Sequence, residues 1–508
     1  MNQTVFSYDE VPYSSFTFPQ TRPDRLATLA AWYGMEPAPA ERCRVLELGC
    51  GDGTNLLSFA YILPDSEFVG IDLSQTHATR ARNSAKELGL GNVEFRCEDV
   101  MAFDRESYGQ FDYIIAHGLF SWVPEPVRNK ILEIYSECLA PQGVGYISYN
   151  AYPGCKTREI LWDMMKFFTA DVASPAQRVS AGLQFLNFIN FASDKESAYA
   201  SLIASELATY PQRTVENIYH DDFSELNRPF YFHEFVETIK PAGLQFLCEV
   251  DSFWKGSQLR PEIAAKLDEL GDDFIKREQI TDFIIGRPFR STLVCRDTNS
   301  LNRKPPHELL KSFYIASPLE AVDQTDLELS GSPVFRNAAG EEVTVVEPLT
   351  VAGLHYLQSI WSGSASFDEL MEHAALGTGG SDPIAVDKAI EELVGLFNRG
   401  MVDLYRYRPE FPRAASEKPR TSRFIQWQIR NKCSHLTTMS GMNVKPEDDL
   451  MQLLLLLCDG TRTRDEVTGE VLRRIEFANA NRDENQKRLP MVIEERLSEY
   501  ARLGLFEA

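Results

Sequence analysis

The sequence predicts an α/β chain: a seven-stranded sheet with a helical insertion before its last two strands, followed by two smaller α+β modules. Three observations predict it. Short apolar strands recur at the spacing of an alternating β/α sheet up to about residue 150, the first of them runs into a glycine-rich turn, and an internal repeat appears after residue 300.

The first strand and its turn lie in RVLELGCGDGTNLLSFA, residues 44–60: Val45 to Leu48, then glycines at 49, 51 and 53, then a helix carrying Leu56, Leu57 and Phe59. Glycines there let the backbone turn tightly and let a ligand approach it closely. The second strand, Glu67 to Ile71, ends in Asp72, where a carboxylate can take both hydroxyls of a ribose. The third, Val93 to Cys97, runs into Glu98 and Asp99, placed to hydrogen-bond an adenine amino group. The fourth, Phe111 to Ala116, opens IIAHGLFSWVP, in which His117 and Trp122 exceed what a plain connection needs. A fifth ends just before Tyr149 and Asn150. The last two are Leu244 to Val250, after a helix closed by Pro241 and Gly243, and Ser291 to Arg296. Residues 156–230, with helical patterns such as LWDMMKFF, form the insertion; leaving from the carboxyl edge of the sheet, it is expected to be a lid, a substrate wall or a dimer contact.

Glu47 is an acid inside an apolar strand, which suits a ligand with cationic character better than a pyrophosphate; with Asp52 it argues against a dinucleotide. VLELGCGDG, GIDLS and CEDV resemble the cofactor motifs of class I S-adenosylmethionine-dependent methyltransferases, with a Rossmann-like sheet. The resemblance implies that Glu47 lies near the methionyl part and Asp72 near the ribose, that Gly49, Cys50, Gly51, Gly53 and Asn55 cradle the cofactor, and that Leu73, Asp99, Val100 and His117 complete its site. DEVPYSSFTFPQTRPDRLATLA, IIAHGLFSWVP, SYNAYPG, NRPFYFHEF and FRSTLVCR, spread over residues 8–297, are similar to the bacterial family that joins such a domain to a methyltransferase regulatory region, whose best understood members act on lysines of outer-membrane proteins. Arg22 and Cys155 depart from that family, where His and Trp are common.

Methyl transfer from a sulfonium asks the protein to hold a nucleophile in line and to dry the site. The groups near the methyl must come from the ends of strands four and five and from what covers them: His117, Trp122, Tyr149, Asn150 and Tyr152, with Tyr13 from the N-terminal segment and Tyr231 or His233 beside the insertion. Aromatic faces among them can surround a cationic lysine product. His117 either accepts the amine proton or fixes the cofactor. His220, before two aspartates, reads as part of a helix-capping cluster rather than a metal ligand, and no metal is expected.

After residue 300, LQSIWSGSASFDEL (357–370) lines up with LLLLCDGTRTRDEV (454–467), and IEELVGLFNRGMVDL (390–404) with IEERLSEYARLGLFEA (493–508). Each copy reads as three helices closing on a strand, the outline of a winged helix. The division is thus 1–155 with 231–297 for the cofactor-binding core, 156–230 for the insertion, and modules at 303–413 and 414–508. Residues 303–508 hold 24 Lys and Arg against 32 Asp and Glu, and the whole chain has a formal net charge of −23, which disfavours nucleic acid. The connector at 406–432 is locally basic, with Phe424 and Trp427 interleaved: a grip for an acidic partner, or a solvated linker entering a packed strand.

Nine scattered cysteines, no apolar run of bilayer length and no signal-like N-terminus fit a cytoplasmic protein. The expected activity is methyl transfer to protein lysines, on an acceptor such as an outer-membrane protein before export, with a homodimer as one use of the insertion. The alternatives are a small-molecule N- or O-methyltransferase and a non-catalytic cofactor-binding regulator.

Overall fold

A computed structural model describes residues 16–250 and 259–507, apart from short stretches at 260, 270, 272, 323–332, 338, 381, 409–411, 413 and 475–481. The described chain forms two units, residues 35–60 with 64–301, and residues 16–34 and 61–63 with 302 onward.

The first unit is built on seven strands, β1 (Arg44–Leu48), β2 (Glu67–Asp72), β3 (Val93–Cys97), β4 (Phe111–Ala116), β5 (Leu139–Asn150), β6 (Leu244–Glu249) and β7 (Phe289–Arg296). Their order is β3-β2-β1-β4-β5-β7-β6, with β7 antiparallel to both neighbours and the other pairings parallel. Parallel strands covered on both faces are apolar throughout, and β4 is buried at Tyr113, Ile114, Ile115 and Ala116 for that reason. Every parallel strand ends on the same edge, so the loops after β1 to β5 converge there.

The insertion consists of helices α1 (Gly154–Phe168), α2 (Pro175–Ala192), α3 (Ala198–Leu207) and α4 (Val215–Asp222). Their own core gathers Trp162, Met165, Leu186, Tyr210 and Phe223. Asp222, fully buried, accepts from Trp162 Nε1 at 2.8 Å and from Arg213, and Thr214 caps α4, so the acids around His220 serve the helix packing. The chain leaves and re-enters the sheet at one place: Ala151 pairs with Phe230, and Tyr152 N donates to the Phe230 carbonyl. Helix α5 (Phe232–Ile239) then leads into β6, and α6 (Phe274–Ile285) into β7.

In the second unit, β8 (Tyr314–Ala316) is flanked by Ala365–Ser366 and Asp403–Tyr405, with helices Pro348–Ile360, Phe367–Thr378 and Pro383–Asn398 between them. The C-terminal copy repeats the plan: helices Asp449–Leu457, Arg464–Arg474 and Arg482–Arg502, and Arg420 and Thr421 bridging Asp459 and Phe506. The second helices start at the aligned positions Phe367 and Arg464.

Two expectations change here. Residues 16–34 pack in the second unit rather than with the sheet, because Trp32 finds Phe313 and Phe397 there, with Thr17 Oγ1 at 2.8 Å from Thr437 Oγ1. Arg22 is buried in that segment against Asp24, at 2.8 Å. The connector is not a linker entering a strand: Arg423–Arg430 is a helix whose Phe424, Ile425 and Ile429 enter the core, which leaves Phe424 no face for a partner.

Candidate active site

The turn after β1 is shaped by backbone angles that side chains resist. Gly49, Gly51 and Gly53 all have positive φ, and a Cβ at Gly53 would lie 2.5 Å from the Phe95 ring, whereas one at Gly51 would meet nothing within 4 Å. Gly53 thus serves packing, and Gly51 leaves the cradle open. Cys50 contributes its backbone, donating to the Ile71 carbonyl; burial pushes its thiol well up, so the thiol stays protonated.

Two carboxyls face this turn. Asp72 accepts from Gly51 N through Oδ2 at 2.8 Å and from Ser74 N through Oδ1 at 2.9 Å, which locks the β1 and β2 loops together and leaves Oδ2 a lone pair. His77 Nδ1 sits 3.6 Å from Oδ1, and that interaction raises the imidazole's pKa. Glu47 is 3% exposed; Oε1 accepts from Asn55 Nδ2 at 2.9 Å, and Oε2 has no partner among the described residues. Burial pushes this carboxyl up to about 8, the Asn55 hydrogen bond opposing and the Asp72 charge adding.

Asp99, exposed at the end of β3, uses Oδ1 to cap the following turn by accepting from Met101 N at 2.9 Å. Leu73 and Met101, large apolar side chains at the adjoining strand ends, are 47% and 48% exposed, and Val100 is half-buried between them in sequence. Met101 is outside the sequence-based set; only its position beside Asp99 could have flagged it.

The far side of the edge is built from β4 and β5. His117 is half-buried, with Nδ1 2.9 Å from Tyr146 Oη and 3.4 Å from Ser148 Oγ; burial pushes its pKa down to about 4, so the ring is neutral. Trp122 ends the same loop, half-buried, its N–H closing a turn on the Leu119 carbonyl. Asn150, 5% exposed, donates its backbone N–H to Ser121 Oγ and its Nδ2 to Asn227 Oδ1, both at 2.9 Å. Arg228 N donates to the Ser121 carbonyl, so the strand returning from the insertion is tied to both loops. Tyr231, half-buried, has ring contacts with Tyr152, His233 and Phe283 at 5.1, 5.7 and 5.9 Å.

Tyr149 is a correction. It is fully buried, stacked on Phe235 at 4.2 Å, with its hydroxyl near Thr292, on the opposite face of β5 from His117. Successive strand residues point to opposite faces, so Ser148 and Asn150 share the face of β5 next to His117 and Tyr149 fills the core. Cys155 is likewise buried, its Sγ donating to the Pro288 carbonyl. Tyr13 lies outside the described residues.

The sequence matches three protein families: a methyltransferase domain over residues 45–143, a predicted methyltransferase regulatory domain over 214–296, and the PKMT C-terminal winged helix domain over 417–505. An uncharacterized protein of Rickettsia prowazekii is 36% identical over 242 residues, which is 47% of this chain and 96% of that one. Another from the same organism is 29% identical over 433 residues, 83% of this chain and 78% of its own. The chain belongs to the S-adenosylmethionine-dependent methyltransferases that carry this regulatory domain. The methyltransferase superposes on the structure of PKMT2 from Rickettsia typhi with a TM-score of 0.87 at 25% identity, covering 97% of this chain and 100% of that one. A second structure of PKMT2, in complex with AdoHcy, gives 0.86 at 26% identity over the same shares.

The residues fit the cofactor. A buried Glu47 oxygen with no partner among the described residues suits a cationic donor, which an amino-acid ammonium supplies; Asp72 Oδ2 retains a lone pair for a ribose hydroxyl; and the open Gly51 cradle admits a ligand against the backbone. The carboxylates of Glu47 and Asp72 would repel phosphates at this turn.

Proposed function

We propose that this methyltransferase modifies lysine side chains of proteins, with outer-membrane polypeptides still in the cytoplasm as the acceptors. The observation that carries the reading is the full-length likeness to PKMT2, which extends through the insertion and both C-terminal modules, parts that a small acceptor does not require. A net charge of −23 favours lysine-bearing segments, and no described helix is long and apolar enough to cross a membrane.

When bound, S-adenosylmethionine supplies an electrophilic methyl group on a sulfonium: the nitrogen–carbon bond forms as the carbon–sulfur bond breaks, the electron pair stays on sulfur, and one amine proton is lost to water. Glu47, Asp72 and the Gly49–Gly53 backbone hold the donor, and Leu73, Asp99, Val100 and Met101 line its adenine end. His117 holds the acceptor amine. With its pKa near 4, taking a proton from an ordinary lysine ammonium would cost roughly 9 kcal/mol. Its role is therefore that of a neutral hydrogen-bond acceptor for an amine that arrives deprotonated, and water takes the proton. Asn150, Trp122 and Tyr231 form the wall beside it.

Incubating the enzyme with labelled S-adenosylmethionine and unfolded outer-membrane proteins tests this: peptide mass spectrometry finds methylated lysines. Label appearing only in a low-molecular-weight fraction would sink it in favour of a small acceptor. His117→Ala leaves cofactor affinity near the parent and depresses turnover. The exposure of Phe167, Phe188 and Phe191 on the insertion, at 83%, 60% and 82%, supports a homodimer contact there; Phe188→Glu with Phe191→Glu then turns a dimer into a monomer in sedimentation equilibrium, and a monomeric parent would refute it.

A further inference from the structure

One face of β5 is polar: Tyr146, Ser148 and Asn150 alternate with Ile147, Tyr149 and Ala151. Ser148 stands opposite Ser291 of β7, so Ser291 shares that face. Tyr146, fully buried, donates its hydroxyl proton to Ser291 Oγ at 3.1 Å, and the same Oη lies 2.9 Å from His117 Nδ1. A phenol has one proton to give. With that proton on the Ser291 side, the short contact to His117 requires the imidazole proton on Nδ1, donated to Oη. Ser148 Oγ, which accepts from Gly118 N at 2.8 Å, lies farther from Nδ1 at 3.4 Å, so the shorter Tyr146 contact decides where the imidazole proton sits.

Ser291 is itself held. Its N–H donates to Glu249 Oε2 at 3.0 Å, while Glu249 Oε1 accepts from Arg290 Nη1 at 2.7 Å. Arg290 lies fully buried over the Phe232 ring, 4.0 Å from its centroid, and reaches Asp282 of α6. The hydroxyl that orders Tyr146 is thus anchored on the framework of the regulatory domain rather than on the cofactor-binding half.

We propose that Tyr146 and Ser291 are positioning residues that set the tautomer of His117, keeping its proton on Nδ1 and its lone pair on Nε2. The proposal rests on the reading of His117 as the amine's hydrogen-bond acceptor. The chemistry needs that tautomer: an Nε2 lone pair accepts an amine N–H and leaves the nitrogen lone pair available for attack. The opposite tautomer would present an N–H that hydrogen-bonds the attacking lone pair and blanks it.

The test uses the full-length enzyme with ¹⁵N-labelled histidine, the His117 resonances assigned by their loss in His117→Gln. The parent shows a protonated Nδ1 and an unprotonated Nε2. Tyr146→Phe and Ser291→Ala shift His117 toward the other tautomer and lower kcat on the order of tenfold or more, with the Kd for S-adenosylmethionine and the Tm near the parent values; Ser291→Thr, which keeps the hydroxyl, restores both. A parent His117 protonated on Nε2, an unchanged tautomer in both variants, or rate losses that only track lost cofactor affinity would overturn the proposal. The nitrogen spectrum needs no acceptor, so a failure of lysine methylation with the tautomer intact counts against the proposed acceptor alone.

Discussion

Asn55 donates to one oxygen of the buried Glu47 carboxyl at 2.9 Å, and the other oxygen is left without a partner among the described residues. That half-satisfied carboxyl has its pKa raised to about 8. A cationic ligand group placed beside it favours the charged form, so cofactor binding near neutral pH releases a proton. Calorimetry in buffers of different ionisation enthalpy measures the release, which disappears in Glu47→Gln.

The same carboxyl sets a stability trend in the free enzyme. Its folded pKa exceeds its unfolded one, so the native state binds the extra proton between the ordinary glutamate value and about 8, and stability falls as pH rises through that window. The contribution is on the order of a few kcal/mol. Tm recorded from pH 5 to 8 falls more steeply in the parent than in Glu47→Gln; parallel curves would refute the assignment.

Asp72 fastens Gly51 and Ser74 as well as facing the ribose site. Asp72→Ala removes an acceptor from two backbone N–H groups along with the ligand's, and cofactor affinity drops roughly a hundredfold. Titration calorimetry reads this directly.

The glycines of the turn separate packing from binding. Gly53→Ala meets Phe95 at 2.5 Å in a left-handed backbone and lowers stability by ~2–4 kcal/mol, seen as a fall in Tm. Gly51→Ala, with open space around it, costs about 1–2 kcal/mol of stability and mainly weakens the cofactor. Equal Tm losses would contradict that division.

Tyr149 belongs to the core. Tyr149→Phe leaves turnover unchanged and shifts stability by less than about 1 kcal/mol, whereas Tyr149→Ala destabilises by ~3–5 kcal/mol. Loss of methyl transfer in the phenylalanine variant would return its hydroxyl to the site.

The sheet was legible because each strand carries its own signal: an apolar run, a turn of the right chemistry, and an acid where a strand ends. Asp72 stood out as such an acid, and Glu47 as a charge inside an apolar strand, where burial otherwise forbids one. Tyr149 misled because an aromatic beside a strand end attracts attention, while the two-residue alternation through Tyr146, Ser148 and Asn150 decides which side it faces. Ser291 could not be found at all, since its neighbourhood to Tyr146 depends on how β7 pairs with β5 across a long stretch of sequence. Residues 16–34 and the connector helix were misplaced for a related reason: the ring partners of Trp32 and Phe424, Phe397 and Tyr61, lie in parts of the chain that local pattern does not reach.

The Ala151–Phe230 pairing closes the insertion at its base, so the ring-closure entropy of everything between is settled at that clasp. Lengthening, shortening or exchanging the helices beyond it changes that term only logarithmically and leaves the register of Asn150 and Tyr152 untouched. The enzyme therefore carries its insertion as an interchangeable cassette: its outer surface is free to diverge toward new partners while the sheet edge that carries His117 and Asn150 stays as it is.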